Sequence, residues 1–307
     1  MFVNRIIAKY SAVLLTICCS HARCDDGDIL ERHEIARDEN AIVERVIYES
    51  DGLRILGYLM YPCDALDCDE KLPCLMYNRG GNRDFGMFTD ESAARIASRF
   101  VSWGYVIFAS NYRGSAGSEG QDEFGGDDVH DVLNGLRVFD QLGFADAERI
   151  GMWGHSRGGL MTLLALLETS RIGAAIVCGA VSDLHAMVHD RPAMEAGVLR
   201  ELVPDYESRR DEALDERSPI NRVDALPKQT PMLVVHGNAD WRVSPTQSLN
   251  LVRSLIEHQL PHRLVMFEGN DHSISENRDD YYREARHWLD RFVRDGESLP
   301  NMEPHGP

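Results

Sequence analysis

Five residues, Gly154-His155-Ser156-Arg157-Gly158, constrain the fold of this chain more than any others. They follow an apolar run with strand character, Ile150 to Trp153. They precede an apolar helical stretch broken only by Thr162, Leu160 to Leu167. A serine between two glycines in a strand–turn–helix setting is the arrangement that lifts a hydroxyl to the carboxyl end of a parallel sheet. The turn is too tight for side chains at its flanks. The glycines at 154 and 158 remove atoms that would collide with the adjoining strand and helix. A chain with this turn needs a sheet to carry it and helices to cover that sheet.

The rest of the sequence supplies them by alternating strand and helix periods, which predicts a mostly parallel, doubly wound sheet. Val46 to Tyr61 reads as an antiparallel hairpin turning at Asp51-Gly52. Strands are predicted at Leu72–Tyr77, Tyr105–Ala109, Ile150–Trp153, Ala174–Cys178, Met232–Val235 and Arg263–Phe267. Helices are predicted at Ser92–Trp103, from Asp127 or Asp128 onward, and at Leu160–Leu167, Gln247–Ile256 and Tyr281–Val293. Residues 183–228 are polar and irregular and read as a small helical cap inserted in the domain. Residues 23–42 are charged and read as a mobile arm or surface helix. The catalytic domain is assigned to 43–295 and a flexible tail to 296–307.

A serine hydroxyl is a weak nucleophile. It needs a base, and the base needs an acid to orient it. Asp240 falls in the loop after Met232–Val235, and His272 in the loop after Arg263–Phe267. Loops at strand carboxyl ends are where sites of open α/β sheets lie. The order Ser156, Asp240, His272 is that of α/β-hydrolases. Asp271 competes for the acid role, but adjacent residues seldom face each other productively. Acyl transfer also needs donors for the oxyanion. One is assigned to the backbone N–H of Arg157, directly after the nucleophile. The other is assigned to Gly80 or Gly81, in the loop after Leu72–Tyr77. Arg79 is expected either to meet a substrate carboxylate or to pair with Asp84. Asp127, Asp128, His130 and Asp131 are read as helix capping in preference to a metal site. Met187 and Met194, with His185, His189 and Asp190, are candidates to line the pocket. Trp241 and Arg242 are read as structural neighbours of Asp240.

Asn111-Tyr112-Arg113-Gly114-Ser115, Gly151 through Gly159, Ser218-Pro219-Ile220, Pro231 to Val243 and Glu268 to His272 together resemble the catalytic domain of prolyl oligopeptidase-type serine hydrolases. That group includes dipeptidyl- and acylaminoacyl-peptidases. The resemblance spans roughly residues 45–295 and implies an α/β-hydrolase fold with Ser156, Asp240 and His272 as the triad. Two departures stand out. Larger members carry an N-terminal β-propeller, for which the residues between Ala22 and Val46 leave no room. Many members have His-Gly-Gly-Pro at the oxyanion loop, where this chain has Arg79-Gly80-Gly81-Asn82.

The amino terminus reads as an export signal over residues 1–22. Arg5 and Lys9 precede the apolar run Tyr10–Cys19, and small residues precede a cut after Ala22. The run is too short for a stable membrane span. Leu15-Thr16-Ile17 before Cys18 offers lipidation as a lesser alternative. Export permits a disulfide among Cys24, Cys63, Cys68 and Cys74, whose pairing the sequence leaves open. With 50 acidic and 32 basic residues the net charge is −18, which disfavours nucleic acid and anionic membranes as partners. No metal-ligand spacing is present, and acyl transfer of this kind calls for no cofactor. The expected function is an exported serine hydrolase, a peptidase acting on short peptides. The alternatives are a carboxylesterase on small acyl esters or a non-catalytic binding protein on the same scaffold.

Overall fold

The computed structural model of the chain describes residues 24–67 and 69–306. The expected export signal, its cleavage point, Cys18 and Cys68 lie outside the described residues. Among the described residues nine strands form one sheet in the order β1-β2-β3-β5-β4-β6-β7-β8-β9. β1 (Ile29–Arg37), β2 (Ala41–Ser50) and β3 (Leu53–Pro62) are antiparallel, and β3 runs antiparallel to β5 (Val106–Ser110). From β5 onward β4 (Leu72–Asn78), β6 (Ala145–His155), β7 (Ile172–Cys178), β8 (Met232–Gly237) and β9 (His262–Phe267) are all parallel. This is the α/β-hydrolase architecture.

The central strands are apolar on both faces because helices cover both. In β5, Val106 and Phe108 join the core on one side, while Ile107 and Ala109 join the core on the other. α2 (Asp128–Gly135), α3 (Arg157–Leu166) and α8 (Thr246–Glu257) pack against the first face. α1 (Asp90–Phe100) and α9 (Arg278–Leu289) pack against the second. α1 opens at Thr89, whose hydroxyl accepts the N–H of Ser92 while Ser92 returns a bond to the Thr89 N–H. The β2–β3 hairpin turns at Asp51 and Gly52, both at positive φ (53° and 82°), the geometry that a two-residue turn demands.

The cap follows β7. It comprises α4 (Leu184–Asp190), α5 (Pro192–Met194), α6 (Arg200–Leu202) and α7 (Tyr206–Glu216), with a π-helical turn, Glu195–Leu199, between α5 and α6. Leu184, Met187, Leu199, Tyr206 and Leu214 anchor it to the α3 side of the core.

Within the arm expected at 23–42, Ala41 already opens β2, and Ile29–Arg37 form instead an ordered edge strand. Its charge-dense sequence hides the pattern, since an edge strand of this kind has little apolar face to show. β1 is held by its backbone ladder to β2 and by cross-strand ion pairs, Arg32 to Glu44 at 2.6 Å and Arg54 to Glu31. Cys74 is buried in β4, with its thiol against the Leu72 and Asp146 carbonyls, and Cys178 is buried in β7. No disulfide joins Cys24, Cys63, Cys74 and Cys178 to one another.

Candidate active site

The turn after β6 is strained as the sequence requires. Ser156 sits at φ 59°, ψ −124°, a conformation that L-residues rarely adopt. Its N–H is tied to the Cys178 carbonyl at 2.8 Å, and its carbonyl accepts the Gly159 N–H at 2.9 Å. A Cβ at Gly154 would lie 1.9 Å from the Gly158 carbonyl oxygen. One at Gly158 would lie 2.0 Å from that of Asn78. Both glycines are therefore obligatory.

Asp240 and His272 meet across the ends of β8 and β9. His272 Nδ1 donates to Asp240 Oδ2 at 2.6 Å, which leaves Nε2 as the basic nitrogen. Asp240 Oδ1 accepts the backbone N–H groups of Arg242 (2.8 Å) and Val243 (3.1 Å). A second histidine that the sequence did not single out, His236, also donates to Asp240 Oδ2, at 3.1 Å. Its Nε2 faces two acceptors, Asp240 and the Val243 carbonyl, so it carries the proton. Nδ1 then accepts the Ser248 hydroxyl at 2.7 Å. Burial acts to raise the Asp240 pKa, but the hydrogen bonds from His236 and His272 outweigh it and hold the group well below the usual carboxylate range.

His155, the residue before the nucleophile, donates from Nε2 to the His272 carbonyl at 2.7 Å. Its ring stands 4.6 Å from the His272 ring. Burial and the neighbouring His272 push its pKa down to about 4, so it is neutral near pH 7. His155 and Asp240 thus fix the His272 loop from two sides.

Ser156 and His272 line one cavity of about 110 Å³, together with Gly81, Phe124, Val181, Met187, Met194 and Val243. Among the described residues Ser156 Oγ makes no hydrogen bond. Nor do the N–H groups of Arg157, Gly80 and Gly81 find a protein acceptor among the described residues. A Cβ on Gly80 would stand 3.2 Å from Ser156 Cβ, so this loop passes directly beside the nucleophile. Unpaired amides at that place are what an oxyanion requires.

The arginines around the site take other roles than the sequence suggested. Arg79 neither reaches the cavity nor pairs with Asp84. Its buried guanidinium donates to the carbonyls of Asn111 (2.8 Å), Arg83 (2.9 Å), Gly80 (3.2 Å) and Phe85 (3.3 Å), and it lies over the Tyr112 ring. It is the brace of the 80–86 loop. Arg157 contributes more than a backbone amide. Its buried side chain makes a bidentate pair with Asp122 at 2.7 Å, a contact to Asp128, and a bond to the Gly81 carbonyl at 3.1 Å. Asp128 and Asp131 are accordingly ion-pair partners, of Arg157 and Arg113, while the Asp127 side chain caps nothing. No cluster of potential metal ligands occurs among the described residues. Of the candidates in the cap, Met187 and Met194 line the cavity, whereas His185 pairs with Asp215. Arg242 lines the cavity too, and Trp241 lines the adjoining groove.

A strained serine, a buried Asp–His pair and free amides around one cavity, carried on this sheet, define a serine hydrolase. The chain belongs to the prolyl oligopeptidase family, whose sequence profile matches residues 92–295. It is 31% identical over 217 residues to an uncharacterized peptidase, YtmA, of Bacillus subtilis, covering 70% of this chain and 80% of that protein. It is 25% identical over 272 residues to a probable dipeptidyl-peptidase 5 of Aspergillus flavus, covering 82% of this chain but only 35% of that one. The acylaminoacyl peptidase of Pyrococcus horikoshii shares the fold, with a TM-score of 0.71 at 23% identity over 86% of this chain and 43% of the other. The chain thus spans less than half the length of these two larger peptidases. No helix among the described residues is long and apolar enough to cross a membrane.

Proposed function

We propose that this protein is an exported serine peptidase that cleaves short peptides through an acyl-enzyme. The observation that carries the reading is the shared cavity. Ser156, Arg157, Gly81 and a His272 oriented by a firmly ionised Asp240 all border it. Ser156 Oγ attacks the scissile carbonyl as His272 Nε2 takes its proton. The carbonyl oxygen becomes an anion held by the loop and elbow amides. His272 then gives the proton to the departing amine, leaving an ester on Ser156. Water repeats the sequence in reverse roles and frees the acid. Asp240 stays ionised throughout and stabilises the imidazolium. The small cavity and the cap over it favour short substrates. The signal-like residues 1–22 support export.

The test is a paired rate comparison on the purified protein, short-acyl p-nitrophenyl esters against N-acyl-peptidyl p-nitroanilides, with Ser156→Ala as blank for both. Anilide turnover within ~100-fold of the esters, a barrier gap of about 2.7 kcal/mol, supports the peptidase. Turnover of esters alone makes the protein a carboxylesterase. Rates at the level of the blank in both panels overturn the reading.

A further inference from the structure

We infer that the mouth of this cavity is an anion subsite and that the preferred substrates carry a carboxylate on the acyl side of the scissile bond. The inference rests on the serine-hydrolase reading of Ser156 and names the substrate class for that site.

Two cations border the cavity that holds Ser156 and His272. Arg191 comes from the carboxyl end of α4 in the cap, and Arg242 comes from the loop that carries Asp240. Both guanidinium groups lie 5.3 Å from the ring of Trp241, and Arg191 Nη1 donates to the Arg242 carbonyl at 2.7 Å. Cap and acid loop are thus joined at this point. Among the described residues neither guanidinium has a carboxylate within 4.0 Å. That is unusual in a chain with 50 acidic and 32 basic residues, where most other arginines are paired. Two like charges on one cavity rim without a carboxylate partner repel each other, and an arriving anion relieves that repulsion.

The remainder of the mouth is made for ligand contact. Trp241 is 70% exposed and Phe85 is 65% exposed, on the groove that continues from the cavity past His272. Inside, Phe124, Val181, Met187, Met194 and Val243 are apolar. A substrate with an apolar stem and an acidic end fits this distribution: stem inward, carboxylate between Arg191 and Arg242. Guanidinium groups bind carboxylates by paired N–H donors, so charge and shape select together. The sequence suggested a carboxylate contact through Arg79, but that side chain is consumed by backbone carbonyls. The structure moves the role to Arg191 and Arg242.

The test uses the intact protein and matched N-acetyl-peptidyl p-nitroanilides, with Glu or Gln at the residue supplying the scissile carbonyl and, in a second pair, at the residue before it. We expect Glu to exceed Gln by about tenfold or more in kcat/KM at one of the two positions at low ionic strength, the size of one charge-assisted hydrogen bond. The preference should fall in 0.5 M salt (about 4 Å screening length). It should collapse in Arg191→Gln or Arg242→Gln through a raised KM, and survive in part in Arg191→Lys. Protection of Ser156 against a fluorophosphonate by N-acetyl-Ala-Glu amide, compared with its Gln counterpart, reads the same subsite without turnover. Gln substrates cleaved as well as Glu at both positions, equal protection by the two amides, or a preference that persists in both Gln variants overturns the inference while leaving the hydrolase intact. No labelling of Ser156 at all removes the reading beneath it instead.

Discussion

Replacing Arg157 by methionine removes the charge that pairs with two buried carboxylates beside the elbow. Its guanidinium is buried between Asp122 and Asp128, whose side chains are likewise buried. In the native protein burial acts to raise the Asp122 pKa, but the charge and hydrogen bonds of Arg157 outweigh it and keep the carboxyl below its usual value. Without Arg157 two carboxylates remain buried and uncompensated, a change that costs about 3–5 kcal/mol. That is a large part of the 5–15 kcal/mol that holds a typical domain together. At a urea m-value of about 3 kcal/mol/M the midpoint falls by roughly 1–2 M. The pH dependence fixes the mechanism. Wild-type Asp122 has a depressed pKa, so its contribution is present above the unfolded value of 3.8 and is lost as pH falls below it. In the variant burial of Asp122 is opposed only by its backbone bonds from Arg83 and Phe124, so its pKa rises relative to the native protein and protonation relieves part of the penalty as pH falls. The stability gap should therefore be widest at pH 7 and narrow by pH 5. Arg157→Lys keeps a charge but not the bidentate fork, and should fall between. Urea titrations of the three proteins at both pH values decide it. A loss under about 1 kcal/mol, or a gap that does not narrow in acid, refutes the reasoning.

Other consequences are more local. Asp240→Asn should lower kcat by about 10⁴-fold, because either orientation of the amide sets its NH₂ against N–H donors from His236 and His272 or from Arg242 and Val243; steady-state kinetics on any turned-over ester measures it. Gly81→Ala places a Cβ 1.9 Å from the Phe85 carbonyl oxygen at φ 77°, so the 80–86 loop, proposed to bind the oxyanion, must move. Its kcat should fall by roughly 10²–10³ with the fold intact by circular dichroism. His155, with its folded pKa pushed from 6.5 down to about 4, binds a proton more readily unfolded than folded, so stability should decline as pH falls from 6.5 toward 4. His155→Gln should flatten that part of the urea midpoint–pH curve.

Much of the site was legible because its geometry is local. The glycines at 154 and 158 announce a turn too tight for side chains, and Asp240 and His272 each follow an apolar strand within a few residues. What stayed hidden depends on partners distant in sequence. Asp128 looks like a helix cap from its neighbours alone. Its partner Arg157 lies 29 residues away. Arg79 looked available because nothing nearby in sequence claims it, whereas the carbonyls it braces include Asn111, 32 residues on. Arg191 and Arg242 lie 51 residues apart, on the cap and on the acid loop, and become one feature only when the cap folds down. β1 eluded the apolar period because its stability comes from backbone pairing and cross-strand charge. His236 could have been noticed: it lies four residues before Asp240, at the end of a buried strand, where a polar side chain needs a partner.

The central claim is that Ser156 is a nucleophile activated by His272. The most direct measurement is fluorophosphonate labelling of the intact protein followed by mass spectrometry of the adduct peptide. A single adduct on Ser156, absent in Ser156→Ala and slowed at least 10³-fold in His272→Ala, is the predicted result. An unlabelled native protein, or labelling of Ser156 at the same rate without His272, contradicts it.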